Sequence, residues 1–485
     1  MEKPKKPIFR KMGMKIVALS LAMTMFTACG LLGGADGDGK NVTETKEVRI
    51  VRYDGPMSKV YPFVYTAKKK LSLTFNGMAD SDTMGRLLDE LDKYGIKATF
   101  FVPGMRVAEE PDIAKSIVSR GHEIENNTLN RLDMTKLSYE QIYKEIQLSN
   151  EIIKKETGIS TKYVRTRSGD YTDDIRLAAA HAGMEAVVVY SLFLRNWQGE
   201  NNIEKELYIR KYITRGGIIT LDTEDNGELL KEIPVIAKAA MDVGYDFIPL
   251  SDLIAQGGVR KPLDQIEGYD VVKMNPDYQN AKYNLIYDAV TDEKMITLTF
   301  DDWGTDYTIT KILDILAEHD VKATFFIRAK GLEANPNLAR AMIEEGHEVA
   351  NHSYDHPVVT NLTPEQLQED VVKAYQVITE AIQQKPTMLF RPPTGEIDDK
   401  SAKIISATGY PDIALYDVTT FDWDKNISAE DIVNIIMEKT ENGSVILLHM
   451  LDDTHTIEAL PTVIERLKKK GYKFVKMAEM IGLKE

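Results

Sequence analysis

The chain has 485 residues, which exceeds the usual size of a single domain and leads us to expect two. Its composition, 43% hydrophobic and 28% charged, is ordinary for a soluble globular protein and excludes a disordered or collagen-like chain. A formal net charge of −15 argues against a nucleic-acid-binding protein, whose surface should be basic. The single cysteine excludes a disulfide framework and a cysteine-rich zinc site.

The amino-terminal segment has the pattern of a secretory signal. Basic residues precede an apolar run, residues 16–28, that is too short to span a bilayer comfortably. The run ends in Phe-Thr-Ala-Cys-Gly, which is similar to a bacterial lipoprotein lipobox. Plain cleavage near Ala28, with Cys29 as a bystander thiol, is the alternative. We favour a lipoprotein signal peptide over residues 1–29 and lipidation of Cys29, because a lone cysteine at this position needs an explanation.

A Gly-rich polar stretch follows and predicts a flexible tether over residues 30–48. With a lipid on Cys29, the protein would act outside the cytoplasm, anchored to the bacterial cell membrane.

The remainder of the chain contains one pattern twice at an almost constant offset. The sequence LSLTF at residues 71–75 matches ITLTF 225 residues later, and KATFF at residues 97–101 recurs unchanged at the same offset. The Gly-His-Glu sequence at residues 121–123 also recurs at this offset. We therefore predict two copies of one domain, over residues 49–256 and 293–485, with a connector at residues 257–292.

Each copy alternates short apolar runs with longer segments of helical period. This alternation predicts an α/β fold, with a parallel sheet or barrel and helices outside it. About 200 residues per copy is near the lower limit for a (β/α) barrel, so we expect a distorted barrel in each copy. The strands predicted in the second copy are Met295–Phe300, Ala323–Ile327, Glu348–Ala350, Met388–Phe390, Ile413–Tyr416 and Val445–Leu448. Its predicted helices include Thr308–His319, Pro336–Glu345 and Pro364–Gln384.

Chemically reactive residues follow several predicted strands of the second copy, at the ends where (β/α) folds carry their chemistry. They are Asp301 and Asp302, the segment His352–His356, the segment Arg391–Gly395, Asp422 with Trp423, and His449. Two imidazoles and one carboxylate form an open three-ligand site for zinc or a similar divalent ion. A second carboxylate could take a proton from water at such a site, and a separate histidine could protonate a leaving group. The pattern predicts metal-assisted hydrolysis of a carbonyl or phosphoryl bond.

The motifs TFDD, HSYDH, RPPTG, Asp-Trp and LLH resemble, in order, the five motifs of the polysaccharide deacetylase (NodB-homology) family, carbohydrate esterase family 4. The resemblance covers about residues 294–483 and, in weaker form, the first copy. It implies two tandem distorted (β/α) barrels of the NodB-homology type.

The resemblance also implies a role for each matching residue. Asp301 would be the general base, held by Arg391, and His449 would be the general acid, oriented by Asp422. The implied metal ligands are Asp302, His352 and His356. The implied substrate-pocket residues are Thr394, Trp423 and Leu447. The cofactor would be one divalent metal, zinc or else cobalt or nickel.

The first copy lacks these chemical groups. The positions of the two aspartates hold Asn76 and Gly77, and those of the two metal-ligating histidines hold Asn127 and Arg131. Asp222 stands for His449 and Asn196 for Asp422, whereas Arg165 and Trp197 are retained. We therefore predict that the first copy binds no catalytic metal and removes no acetyl group.

The sequence thus predicts a metal-dependent deacetylase of N-acetylated sugars in a polysaccharide, with cell-wall peptidoglycan as the nearest candidate. Its partners would be the acetylated glycan and the membrane. An O-acetyl esterase of the xylan type is one alternative, and a non-catalytic carbohydrate-binding lipoprotein is another. The target sugar, the role of the first copy and the oligomeric state stay open.

Overall fold

A computed structural model describes residues 50–194 and 201–483, and the described residues from 51 onward belong to one compact unit. The predicted signal peptide with Cys29, the tether, and the residues Asn196 and Trp197 lie outside the described residues. None of the described helices is both long and apolar enough to cross a bilayer.

The first domain, residues 50–256, alternates strands with helices along the chain. Its strands are Lys59–Tyr61, Lys70–Asn76, Thr99–Val102, Glu123–Asn126, Tyr163–Val164, Ala186–Val188, Leu192–Phe193, Ile218–Asp222 and Asp246–Phe247. Its helices are Ser81–Lys93, Gly104–Glu109, Pro111–Ser119, Tyr139–Thr157, Asp173–His181, Asn202–Tyr212, Leu229–Val243 and Leu250–Ala255.

The second domain, residues 284–483, has the same alternation. Its strands are Asn284–Ile286, Met295–Asp302, Thr324–Ile327, Glu348–Asn351, Asp412–Ala414, Val418–Thr419, Val445–His449 and Lys473–Phe474. Its helices are Asp306–Glu318, Pro336–Glu344, Pro364–Ile382, Asp399–Thr408, Ala429–Lys439, Thr456–Lys469 and Met477–Met480.

The named strands of both domains pair in parallel and share one topology, which confirms the predicted α/β fold of two tandem distorted barrels; each is a curled half-barrel. In the second domain, Met295–Asp302 lies between Thr324–Ile327 and Val445–His449. In the first domain, Lys70–Asn76 takes the same central position between Thr99–Val102 and Ile218–Asp222. Side chains at the carboxyl ends of these strands therefore face one common opening.

The edge of each half-barrel is also repeated. Asn284–Ile286, inside the stretch predicted as a connector, pairs with Asp412–Ala414. Lys59–Tyr61 pairs with Ala186–Val188 in the corresponding way. The structural repeat thus includes a strand that precedes the sequence motifs.

Two strand predictions differ from the structure. The strand predicted at residues 295–300 continues to Asp302, so both aspartates belong to it. The strand predicted at residues 388–390 is reduced to bridges from Phe390 to Asn351 and Ile413. Prolines 386 and 392 flank this segment, and because proline has no backbone N–H, the ladder cannot be extended there.

A polar network joins the two domains. Asn337 of the second domain donates to the carbonyl oxygens of Val64 (2.9 Å) and Arg215 (2.5 Å) of the first. The backbone N–H of Arg215 donates to Asp306 (3.2 Å), which also accepts from the Tyr245 hydroxyl. Asp306 begins the helix that follows the central strand of the second domain, so the interface contacts the element next to the end of that strand. These polar side chains are buried and hydrogen-bond to one another's domain, which favours one fixed arrangement of the two domains.

Candidate active site

The central strand of the second domain brings the two aspartates to the opening of the half-barrel. Asp301 is 3% exposed and lies opposite His449 in the strand register. Asp302 has a φ of 78°, in the left-handed region that costs a non-glycine residue energy. Both carboxylates border the same cavity of about 360 Å³.

Asp302, His352 and His356 are the group of described residues with metal-binding geometry. One ligand atom from each lies within 4.8 Å of the others, and Nε2 of His356 is 3.3 Å from Oδ1 of Asp302. A carboxylate and two imidazoles leave open positions on a divalent ion, which is the arrangement of a hydrolytic metal site. The side chains present therefore fit such an ion.

The second ring nitrogen of His352 is held in place by the backbone. Its Nδ1 lies 2.8 Å from the Arg391 carbonyl oxygen, so Nδ1 carries the hydrogen and Nε2 is left to ligate. Burial lowers the pKa of His352, with the charge of Asp301 opposing the shift, and this keeps the imidazole neutral. A neutral imidazole is the form that binds a metal.

Arg391 holds the Asp301 carboxylate from inside the sheet. Its Nη1 donates to Oδ1 of Asp301 (2.8 Å) and to Oγ1 of Thr299 (2.7 Å), and its Nη2 donates to the Leu415 carbonyl (2.9 Å). The guanidinium carbon lies 3.9 Å from the centre of the Phe326 ring. Asp301 is thereby fixed with its other oxygen directed toward the metal-binding group, 3.7 Å from Nε2 of His352.

His449 forms a dyad with Asp422 on the opposite side of the cavity. Nδ1 of His449 lies 2.8 Å from Oδ1 of Asp422, which is 1% exposed. Burial alone would lower the pKa of His449, but the hydrogen bond and charge of Asp422 raise it overall, with help from Asp301 and Asp302. The two histidines His352 and His449 are therefore shifted in opposite directions within one site, as acid and ligand roles require.

All three predicted pocket residues line the cavity: Thr394, Trp423 and Leu447. The Trp423 ring is 42% exposed and lies 5.1 Å from the His449 ring, so it forms an outer wall. A fourth wall residue, Tyr416, is not among the site residues predicted from the sequence; its hydroxyl would lie 2.8 Å from a Cβ at Gly395. Tyr416 recurs as Tyr190 in the first domain at an offset of 226, which was the available signal.

In the first domain, the guanidinium of Arg131 occupies the position that corresponds to the metal-binding group of the second domain. Nη1 of Arg131 lies 2.6 Å from where a Cβ would stand at Gly77, and it donates to Oε2 of Glu224 (2.7 Å). Its Nη2 donates to Oδ1 of Asp222 (3.3 Å). The buried arginine is retained, because Arg165 donates to Thr74, Asn76 and the Val189 carbonyl as Arg391 does to its own partners.

Comparison with known proteins assigns the family. The polysaccharide deacetylase family model matches twice, at residues 64–187 and 288–413. A peptidoglycan-N-acetylglucosamine deacetylase of Bacillus cereus is 34% identical over 202 residues, which cover 41% of this chain and 93% of the relative. A peptidoglycan-N-acetylmuramic acid deacetylase of Bacillus subtilis is 31% identical over 194 residues, 40% of either chain.

Solved structures include similar chains. A peptidoglycan N-acetylglucosamine deacetylase, solved with a naphthalenyl benzamide ligand, is 31% identical over 42% of this chain and 94% of its own, with a TM-score of 0.40. A pseudoenzyme of the same CE4 family from Bacillus anthracis is 32% identical over 42% of this chain and 70% of its own, with a TM-score of 0.39. On its two family-model matches, the chain belongs to the polysaccharide deacetylase family.

Proposed function

We propose that the second domain hydrolyses the acetamide of N-acetylated sugars in a polysaccharide, with cell-wall peptidoglycan as the substrate. The observation that carries the proposal is the single cavity in which a three-ligand group, a held carboxylate and a histidine–aspartate dyad meet. The relatives named as peptidoglycan deacetylases support this choice of substrate.

The chain's own residues divide the proton transfers between them. Asp301, held by Arg391, accepts a proton from the water that attacks the acetyl carbonyl carbon. His449, on the other side of the cavity, donates a proton to the sugar nitrogen as the C–N bond breaks. The products are acetate and the protonated sugar amine, and the proton taken by Asp301 replaces the one that His449 gave.

The metal-binding group would be Asp302, His352 and His356. A divalent cation there would supply Lewis acidity, which activates water and polarises the acetyl carbonyl. Two imidazoles and a carboxylate suit zinc, and cobalt or nickel can bind the same ligands. The backbone N–H near Thr394 would stabilise negative charge on the carbonyl oxygen, and Leu447 and Trp423 would contact the acetyl methyl.

The test is acetate release from N-acetylglucosamine oligomers and purified peptidoglycan, before and after chelation. We expect release that stops on chelation and returns with zinc, and Asp302→Asn should lose both bound metal and activity. Asp453→Asn, which changes an exposed aspartate four residues after His449 (80% side-chain exposure), should retain both. Acetate release from an acetyl ester but not from N-acetylated substrates would show that the protein is an O-acetyl esterase instead. No release from either kind of substrate would favour a non-catalytic carbohydrate-binding lipoprotein.

We also propose that Cys29 carries a lipid that anchors the chain outside the cytoplasm. The support is the basic segment, short apolar run and small residues that precede this lone cysteine. Cys29→Ser should move the protein from the membrane fraction to the soluble fraction and prevent labelling by a fatty-acid probe. Unchanged membrane association in this variant would contradict the anchor.

A further inference from the structure

The first domain keeps a large opening at the ends of its strands although its chemistry is lost. The cavity has a volume of about 870 Å³, more than twice that of the active site in the second domain. Its walls include the rings of Tyr190 and Phe193, whose centres are 5.2 Å apart. Aromatic side chains beside an open polar groove suit the apolar faces of a sugar ring.

The position of the catalytic acid is held by a carboxylate in this cavity. Asp222 lies opposite Asn76 in the strand register, just as His449 lies opposite Asp301 in the second domain. In the proposed reaction, His449 faces the nitrogen that becomes a free amine. A carboxylate at the corresponding point is placed to accept hydrogen bonds from a protonated amine.

Arg131 neutralises only part of the negative charge nearby. Its guanidinium pairs with both Asp222 (3.3 Å) and Glu224 (2.7 Å), so these three side chains retain a charge of −1. Among the described residues that line the cavity, three arginines stand against five carboxylates, so the described wall has a net charge of −2. The side chains of Asp222 and Glu224 are each 36% exposed and so are accessible to a ligand.

We propose that the first domain binds an amino sugar with a free, protonated amine, the class of product that the second domain makes. The inference rests on the proposed function for the identity of that product. The ammonium group binds at Asp222, and the Tyr190 and Phe193 rings contact the sugar. The acetamide group of an N-acetylated sugar is neutral, so it is not attracted by the negative charge of Asp222. By binding this product, the first domain would keep the protein bound to glycan that the second domain has already deacetylated.

The test measures binding of glucosamine and N-acetylglucosamine oligomers to the full chain by calorimetry. The Asp301→Asn background prevents hydrolysis, and pH ~6 keeps an aliphatic amine protonated. Because synthetic oligomers are used, the result does not depend on whether the second domain is active. Because the second domain also offers a site for either oligomer, the affinity of the first domain is obtained by comparing this background with Asp222→Asn in the same background. We expect glucosamine binding that depends on Asp222 and weakens as salt is raised.

Two substitutions should act in opposite directions. Asp222→Asn should weaken glucosamine binding roughly two- to fivefold, the range for one charge pair in a partly open site. Arg131→Gln removes the competing cation and should strengthen the same binding, which mere damage to the cavity would not do. Asp252→Asn, which removes a charge from an exposed helix position, should change neither.

Glucosamine binding that Asp222→Asn leaves unchanged, or N-acetylglucosamine binding that it weakens equally, would overturn the proposal. Weaker binding in both Asp222→Asn and Arg131→Gln would also overturn it. Acetate release by the parent chain is measured separately, so failure of the proposed deacetylation is distinguished from failure of this inference.

Discussion

The dyad of His449 and Asp422 gives a quantitative prediction for the variant Asp422→Asn. Each carboxylate oxygen of Asp422 accepts two hydrogen bonds: Oδ1 from His449 Nδ1 (2.8 Å) and Thr420 (2.9 Å), Oδ2 from the His449 backbone N–H (2.8 Å) and Thr456 (2.6 Å). An asparagine keeps the shape but replaces one acceptor with an NH₂ group. If its oxygen keeps the His449 backbone and Thr456, its NH₂ faces Nδ1 of His449 and opposes the protonated ring.

The size of the effect follows from the lost contact. A hydrogen bond to a charged group contributes roughly 1.5–3 kcal/mol. Asp422→Asn removes this stabilisation of the protonated ring and should therefore lower the pKa of His449. Because the general acid acts in its protonated form, activity is lost as pH rises through this pKa. The alkaline limb of the kcat profile should move to lower pH.

The assay is acetate release at saturating oligomer across the pH range, with zinc present. General acid–base groups typically contribute about 10²- to 10⁴-fold to the rate. When the acid is misoriented, kcat should therefore decrease by a factor in that range. Asp424→Asn changes an exposed aspartate two residues away and serves as the matched control. An alkaline limb that stays in place, with kcat near that of the parent, would refute the role assigned to the dyad.

Two further predictions concern stability in the first domain. Arg215→Ala removes a 2% exposed side chain that donates to the Ala67 carbonyl (2.7 Å). It should lower the free energy of unfolding by about 1–3 kcal/mol, measured by denaturant titration. The control is Arg86→Ala, which removes one member of an exposed ion pair. Burial raises the pKa of Glu125 to about 8, so the native state loses stability as pH rises from 4.5 toward that value. Glu125→Gln should remove this loss of stability at high pH. The difference in thermal midpoint between this variant and the parent chain should therefore be more positive at pH ~9 than at pH ~5. A difference that does not change with pH would contradict a raised pKa for Glu125.

The sequence repeat predicted the parallel sheets because alternating strands and helices leave few other folds. The motif order also predicted which side chains meet, since strand ends of a parallel sheet share one edge: the group Asp302, His352 and His356 is an example. The contacts of Arg215 and Asn337 across the domains were not predictable, because neither residue belongs to the repeated motifs. The sequence predicts Tyr416 as part of a strand and not as a residue of the cavity wall, because an aromatic residue beside an apolar run has the pattern of a core residue.

The two domains share the backbone of the site and differ in its side chains. Left-handed φ angles recur at equivalent positions, with these pairs: Gly77 (81°) and Asp302 (78°), Thr128 (65°) and Ser353 (69°), Arg131 (55°) and His356 (60°). The first domain has therefore kept an unfavourable backbone conformation without the metal-binding group that it positions in the second. The side chains alone should then decide whether a metal binds.

This reasoning predicts that three substitutions restore a metal site: Gly77→Asp, Asn127→His and Arg131→His. Asn127 already donates to the Arg165 carbonyl (2.9 Å), as the His352 ring does to the corresponding Arg391 carbonyl (2.8 Å), so a histidine there would be oriented by the same partner. Metal analysis after dialysis should show two ions per chain instead of one, and the two histidine substitutions without Gly77→Asp should show one. If the triple variant folds and still holds one ion, then differences beyond the ligands separate the two domains, and the shared backbone is not sufficient to bind a metal.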